Sequence, residues 1–219
     1  MITLEDLKHN EDVRTLITRA DESLDALGYT EHSFAHVTRT AETAGSILAA
    51  LGYDAHEVEL ARVAGYLHDI GNLVNRVEHS QSGAVMAFVL LTRLGMPMAD
   101  VAAVTTAIGN HDEGTGVPVS PLAAALILAD KSDVRRGRVR SAEDRAFDIH
   151  DRVNYSAEHS ELVVSEDKKS VTLTIAVDTN YGSVMDYFEI FLERMLLCRR
   201  AAEKLGMCFR LIINGQVLL

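Results

Sequence analysis

Through its first two thirds the chain repeats apolar residues at helical spacing and interrupts that spacing mainly at glycine and proline. Val13, Leu16, Ile17, Ala20, Leu24 and Leu27 fall on one helical face within residues 11–27, and Gly28 closes the run. Thr30 is the predicted cap of a second helix reaching about Ala50. Asp54 and Glu57 have the spacing of a capping box for a helix that ends near His68. Ser80 is the predicted start of a helix through Leu91 that Gly95 closes, and Pro97 suits the first turn of another reaching about Asn110. After a glycine-rich loop, HDEGTGVPVSP, Ser120 and Pro121 open the most apolar segment, PLAAALILAD, which predicts a deeply buried helix. A further helix is expected over 142–153.

The texture changes near residues 155–160. Residues 160–166 and 169–178 show β-branched alternation around a polar turn at Asp167-Lys168. A long helix is expected from about Ser183 to Leu205, then a strand in CFRLIING with a hairpin turn at Asn214-Gly215. The expected fold is mainly α: a helical domain over 1–155 and a small α+β appendage over 156–219. The appendage is too small to bury an independent core, so it should pack on the helical domain or on a partner subunit. Its long helix also offers a surface for a homodimer contact.

Composition narrows the partners. Hydrophobic residues make up 47% of the 219, enough for a packed core, and the net charge of −11 argues against nucleic acid as the main partner. A small anionic substrate held by a local basic patch or a metal remains compatible. The charged start, MITLEDLKHNEDV, lacks the apolar stretch of a signal peptide. No apolar run approaches the roughly 18 residues of a membrane span. A cytoplasmic location away from membranes is the expectation. Cys198 and Cys208 do not form a CxxC pair and are expected to be reduced, mostly buried thiols.

Histidine and aspartate fall at helix ends. His68-Asp69 closes the run VAGYLHDIGN. His36 lies near the start of the preceding helix, at the edge of its apolar arc, where it should be half buried. Asp130 ends the most apolar helix, where a carboxylate is costly unless paired with Arg135 or bound to a cation.

This order, H…HD…D, resembles the HD superfamily of metal-dependent phosphohydrolases over roughly residues 30–135. Two further histidines are similar to those of its HD-GYP branch: His79, opening a helix in EHSQSGA, and His111, in NHDEGTGVP. The resemblance implies an HD-domain helical bundle whose ligand set is His36, His68, Asp69, His79, His111 and Asp130. It implies one or two divalent ions (Fe, Mn, Co, Ni, Zn or Mg), Asp69 bridging them as the catalytic carboxylate, and a metal-bound hydroxide attacking a phosphate ester, with nucleotides among the candidates. The chain departs from that branch at Asn110, where a second histidine would stand, and at Val117, where a tyrosine would stand. Asn72 replaces the lysine that often follows HDIG. Cyclic-dinucleotide hydrolysis is therefore not carried over.

Directly after Asp130 the run KSDVRRGRVR places Lys131, Arg135, Arg136, Arg138 and Arg140 together. Lys131, Arg135 and Arg136 are the candidate phosphate contacts, Lys131 also as a catalytic residue because it adjoins a ligand. Arg39, three residues after His36, and His32, one turn before it, are candidates for the same mouth. Two other functions use the same ligands: a non-catalytic metal-binding or sensory module, and a di-iron oxygenase.

Overall fold

The computed structural model describes residues 2–140 and 149–219, and helices form where the apolar spacing is helical. α1 (Leu4–Lys8) is a short helix begun by a Thr3–Asp6 capping box. α2 (Glu11–Ala26) starts at Asn10, whose side chain accepts from the Val13 N–H, and it buries Val13, Ile17, Ala20 and Leu24. α3 (Phe34–Leu51) ends at Gly52, whose φ of 92° is the left-handed cap that glycine adopts without strain. α4 (Ala55–Leu67) is capped one way only: the Asp54 side chain accepts from the Glu57 N–H. A 3-10 turn (Ile70–Leu73) leads to α5 (His79–Arg93), α6 (Met98–Gly109) and α7 (Pro121–Ser132). A second 3-10 turn (Arg136–Arg138) and α8 (Ile149–Ser156) complete the helical part.

Three helix starts differ from the sequence expectation, α6 among them, where Pro97 is the N-cap before Met98 and not part of the first turn. α3 begins after Ser33, because Thr30–Ser33 folds on itself: the His32 ring contacts the Thr30 carbonyl through Nδ1 at 2.6 Å, and Glu31 accepts from the Ser33 N–H at 2.8 Å. α5 begins one residue before Ser80, after Glu78 at φ 55°, with no side-chain cap. The helix expected over 142–153 falls partly outside the described residues; α8 is its described portion.

In the C-terminal region β1 (Ala157–Val164) and β2 (Ser170–Val177) are antiparallel. α9 (Val184–Lys204) then crosses over to β3 (Cys208–Ile213), which lies parallel to β2. Asn214 and Gly215, both at positive φ, turn the chain into β4 (Gln216–Val217). Alternate residues of β2 (Val171, Leu173, Ile175 and Val177) are buried. The same alternation in β3 leaves Cys208 exposed, so only Cys198 in α9 fits the expectation of a buried thiol. Burial pushes that thiol up to about 12, which leaves it unreactive near neutral pH.

The fold is mainly α, with a small C-terminal α+β region whose sheet order is β1-β2-β3-β4. One continuous core joins both parts, running from Leu4 to Ile213. At its centre α7 touches α3, α4, α6 and α9, and every residue from Leu122 to Ser132 is buried. α9 packs on α7 as well as on β2 and β3. Gly65 permits the close crossing of α3 and α4: a Cβ there would lie 2.6 Å from Ala41 Cα. Among the described residues no helix is long and apolar enough to cross a membrane.

Candidate metal centre

The ends of four helices and one loop meet at a single cluster. His36 comes from the first turn of α3, His68 and Asp69 from the end of α4, His79 from the start of α5, His111 from just after α6, and Asp130 from the last turn of α7. All six residues are buried, His36 and His68 completely. His36 is thus not the half-buried residue that its helical angle predicts, because α7 closes over that edge of α3.

Their ligating atoms face one another. His36 Nε2 lies 3.3 Å from His68 Nε2, 3.4 Å from Asp69 Oδ2 and 3.3 Å from Asp130 Oδ1. His68 Nε2 lies 3.1 Å from Asp69 Oδ2. His79 Nε2 lies 3.2 Å from His111 Nε2 and 3.5 Å from Asp69 Oδ1. Asp69 therefore sits between a His36/His68/Asp130 side and a His79/His111 side. Ligand atoms of His36, His68 and Asp130 form one group compact enough for a cation, and those of His68, Asp69 and His111 form a second.

The imidazoles are held so that Nε2 points inward. Nδ1 of His68 reaches the Gly65 carbonyl at 2.8 Å, Nδ1 of His79 the Arg76 carbonyl at 3.1 Å, and Nδ1 of His111 the Ile108 carbonyl at 2.6 Å. In each case the acceptor is three residues earlier in the chain. Gly65 and Ile108 stand in the last turns of α4 and α6, where carbonyls lack the regular helical partner four residues on; the Ile108 carbonyl also accepts from the His111 N–H at 3.4 Å. The fourth ring, His36, places Nδ1 2.8 Å from Asp133 Oδ2. A proton on each Nδ1 leaves a lone pair on each Nε2, which is the form that ligates a metal.

The field inside the cluster calls for positive charge. Burial alone would depress the His68 imidazole, but the Asp69 and Asp130 carboxylates outweigh it and raise it to about 10. Burial would raise the Asp130 carboxyl, yet the Lys131 ammonium with the His36 and His68 rings holds it well below the usual range. Burial, with the positive neighbours His68, His79 and Lys131, pushes His111 well below its ordinary value and keeps it neutral. Asp69 Oδ2 is buried without a hydrogen-bond partner among the described residues, while Oδ1 accepts from Asn72 Nδ2 at 2.9 Å. Protons on the Nε2 atoms or a metal cation can supply the positive charge, and the two compete for the same lone pairs. The donor set of imidazoles and carboxylates, with no thiolate, fits a divalent transition metal or Mg²⁺.

Several supporting residues escape a reading of the sequence. Asp133 orients His36 and is itself held through Oδ1 by Arg135 Nε at 3.0 Å and Arg39 Nε at 3.3 Å. Its position three residues after Asp130, on the same turn, was the available signal. Asn72, noted only as a missing lysine, positions Asp69. Replacing Asp133 by asparagine should weaken metal affinity about 10- to 100-fold while the protein stays folded. Titration of chelator-treated protein with Mn²⁺ measures this, and an unchanged dissociation constant would remove Asp133 from the support of the site.

The structure places most of the candidate phosphate contacts elsewhere. Lys131 is buried and faces carboxylates: Nζ lies 2.7 Å from Asp130 Oδ2 and 2.9 Å from Glu113 Oε2. Arg135 pairs with Asp133 and Glu31, and Arg39 with Asp133 and the Ser160 carbonyl. Arg136 donates to the Tyr155 carbonyl and stands over the Tyr155 and Tyr181 rings. Of the set, His32 alone lines the cavity beside the cluster, a chamber of about 500 Å³ whose other walls include Tyr29, Arg76, Arg138, Phe191 and Arg194. Arg76 Nη1 is 3.5 Å from His79 Nε2, and the His32 and His36 ring centroids are 5.4 Å apart, so the chamber abuts the cluster. Arg76 and Arg194 carried no sequence signal, because only the tertiary fold brings residues so far apart in the chain to one wall.

Residues 33–155, more than half of the chain, match the family model of the HD domain. The chain belongs to the HD domain family, at whose level it is grouped with metal-dependent hydrolases. Among solved structures it is similar to a predicted HD superfamily hydrolase from an uncultured Thermotogales bacterium, at 26% identity over 60% of this chain and 73% of that one, with a TM-score of 0.44. No curated protein matches it.

Proposed function

We propose that the protein is a metal-dependent phosphohydrolase acting on a small phosphate ester, with two divalent cations held by His36, His68, Asp69, His79, His111 and Asp130. The observation that carries this reading is the inward convergence of four Nε2 atoms, each ring anchored through Nδ1, around a buried Asp69 oxygen without a donor. Bound cations of this kind activate water and neutralise charge on phosphoryl oxygens.

The chain's own groups do the remaining work. Asp69 presents one oxygen to each half of the cluster. Lys131 occupies Asp130 Oδ2 and so leaves Oδ1 facing His36 and His68, which makes it a positioning residue. The Arg76 guanidinium beside His79 is placed to receive a phosphoryl oxygen. Asp112 Oδ1, 3.9 Å from His79 Nε2 and on a partly exposed side chain, is placed to take the proton that an attacking water releases.

The test is metal analysis of protein purified without chelator, followed by anaerobic assay against nucleoside phosphates and generic phosphate esters with Mn²⁺ or Fe²⁺. Phosphate release without O₂ is expected. Bound metal with no turnover of any ester would favour a non-catalytic module, and turnover only with O₂ consumption would make the protein an oxygenase.

A further inference from the structure

Resting on the reading of the cluster as a metal site, we propose that the C-terminal region braces it: Arg194 on α9 holds Glu113, Glu113 holds Lys131, and Lys131 fixes the Asp130 carboxylate. Arg194 and Glu113 are then positioning residues for the His36/His68/Asp130 group. The brace starts outside residues 33–155, the part of the chain that matches the HD domain.

The chain of contacts is continuous. Arg194 Nε donates to Glu113 Oε1 at 2.7 Å. The other oxygen, Oε2, accepts from Lys131 Nζ at 2.9 Å. Nζ lies 2.7 Å from Asp130 Oδ2, while Asp130 Oδ1 lies 3.3 Å from His36 Nε2. Cation and anion alternate, and each carboxylate gives one oxygen to each neighbour. A lysine ammonium on its flexible stem does not fix a carboxylate by itself. Lys131 is confined because it is buried and Glu113 holds its other side. Asp112 Oδ1, 4.0 Å from Nζ, is a more distant third acid.

The far end is anchored by α9 itself. The Arg194 guanidinium carbon lies 4.2 Å from the centre of the Phe191 ring, one turn earlier on the same helix. Phe191, Met195 and Cys198 recur at helical spacing and are buried, which sets the face of α9 and so the direction from which Arg194 arrives. α9 packs on α7, the helix that carries both Asp130 and Lys131. Glu113 stands in the loop between α6 and α7, where no helix geometry fixes its direction and the two cations do.

Charge and geometry predict opposite signs for Arg194. It is a cation near a cluster that binds cations, so if only its field mattered its removal would tighten metal binding. As a brace, its removal loosens Glu113, Lys131 and Asp130 in turn, and metal binding weakens. Glu113→Gln lacks this contrast, because it both releases Lys131 and leaves the ammonium uncompensated beside the metal. Arg194→Gln is therefore the deciding variant.

The test is titration of the chelator-treated protein with Mn²⁺, with the free ion followed by electron paramagnetic resonance. Asp130→Asn identifies the binding step that belongs to the His36/His68/Asp130 group. That step should weaken about 3- to 10-fold in Arg194→Gln, less than for a group that touches a ligand directly, and the other step should stay within about two-fold. Arg194→Lys keeps a cation for Glu113 and should restore most of the affinity, which a role in packing alone would not produce. If the Arg194→Gln protein does not fold, Glu113→Gln carries the test, with an expected loss of about 10-fold or more. Unchanged or tighter binding by folded Arg194→Gln, equal weakening of both steps, or no loss in Glu113→Gln overturns the brace. An unaltered protein that binds no Mn²⁺ would overturn the metal reading and the brace with it, whereas bound metal with unaffected variants would overturn the brace alone.

Discussion

Asp69→Ala should strip the protein of bound divalent metal and abolish hydrolysis in the same variant. Asp69 contributes to both halves of the cluster, with Oδ2 at 3.1 Å from His68 Nε2 and Oδ1 at 3.5 Å from His79 Nε2. Alanine removes the oxygen between the two sides and leaves the imidazoles facing one another. If the proposed reaction holds, loss of the carboxylate that stands between the two ligand groups should reduce turnover by several orders of magnitude, since activation of water and charge neutralisation would fail together. Elemental analysis after purification without chelator reads the metal, and circular dichroism shows whether the helices persist. A folded Asp69→Ala protein that kept its full metal content would show that the cations sit elsewhere.

Gly71→Ala should be among the most destabilising single-methyl additions in the molecule. A Cβ at residue 71 would lie 1.9 Å from the His79 carbonyl oxygen and 2.4 Å from the Gly83 nitrogen, both backbone atoms that cannot swing aside. The 3-10 turn after Asp69 would have to lift off α5. Overpacking of this kind costs about 3 kcal/mol or more, which for a chain of this size lowers Tm by roughly 6–12 °C. The displacement also moves His79 relative to Asp69, so metal affinity should fall in the protein that remains folded. Thermal unfolding with and without added Mn²⁺ measures both effects. An unchanged Tm would mean that the turn does not pack on α5 as closely as the structure has it.

The residues that could be read from the sequence are those whose role follows from local pattern. PLAAALILAD reads as a buried helix because every residue is apolar or small until Asp130, and α7 is buried along that length. The ordered histidines and aspartates point to the family because they recur at helix ends. Residues whose role depends on tertiary approach were not legible in this way. Asp133 matters because residue 36, distant in sequence, comes to it, and Lys131 is withdrawn from substrate because Glu113 reaches it from the loop after α6. Charge alone made Arg135 and Arg136 look like phosphate contacts, whereas their guanidiniums close gaps between elements. The parallel pairing of β2 with β3 also lay beyond the periodicity, which specifies buried faces but not strand direction.

Anchoring imidazoles on carbonyls near helix ends ties chelation geometry to helix length. If α4 gained another turn, Gly65 would give its oxygen to a main-chain N–H, and the His68 ring would be free to rotate or change tautomer. Evolution or design can therefore vary the exposed surfaces of these helices widely, while an insertion of a single residue before His68 or His111 would detune the chelate without touching any ligand.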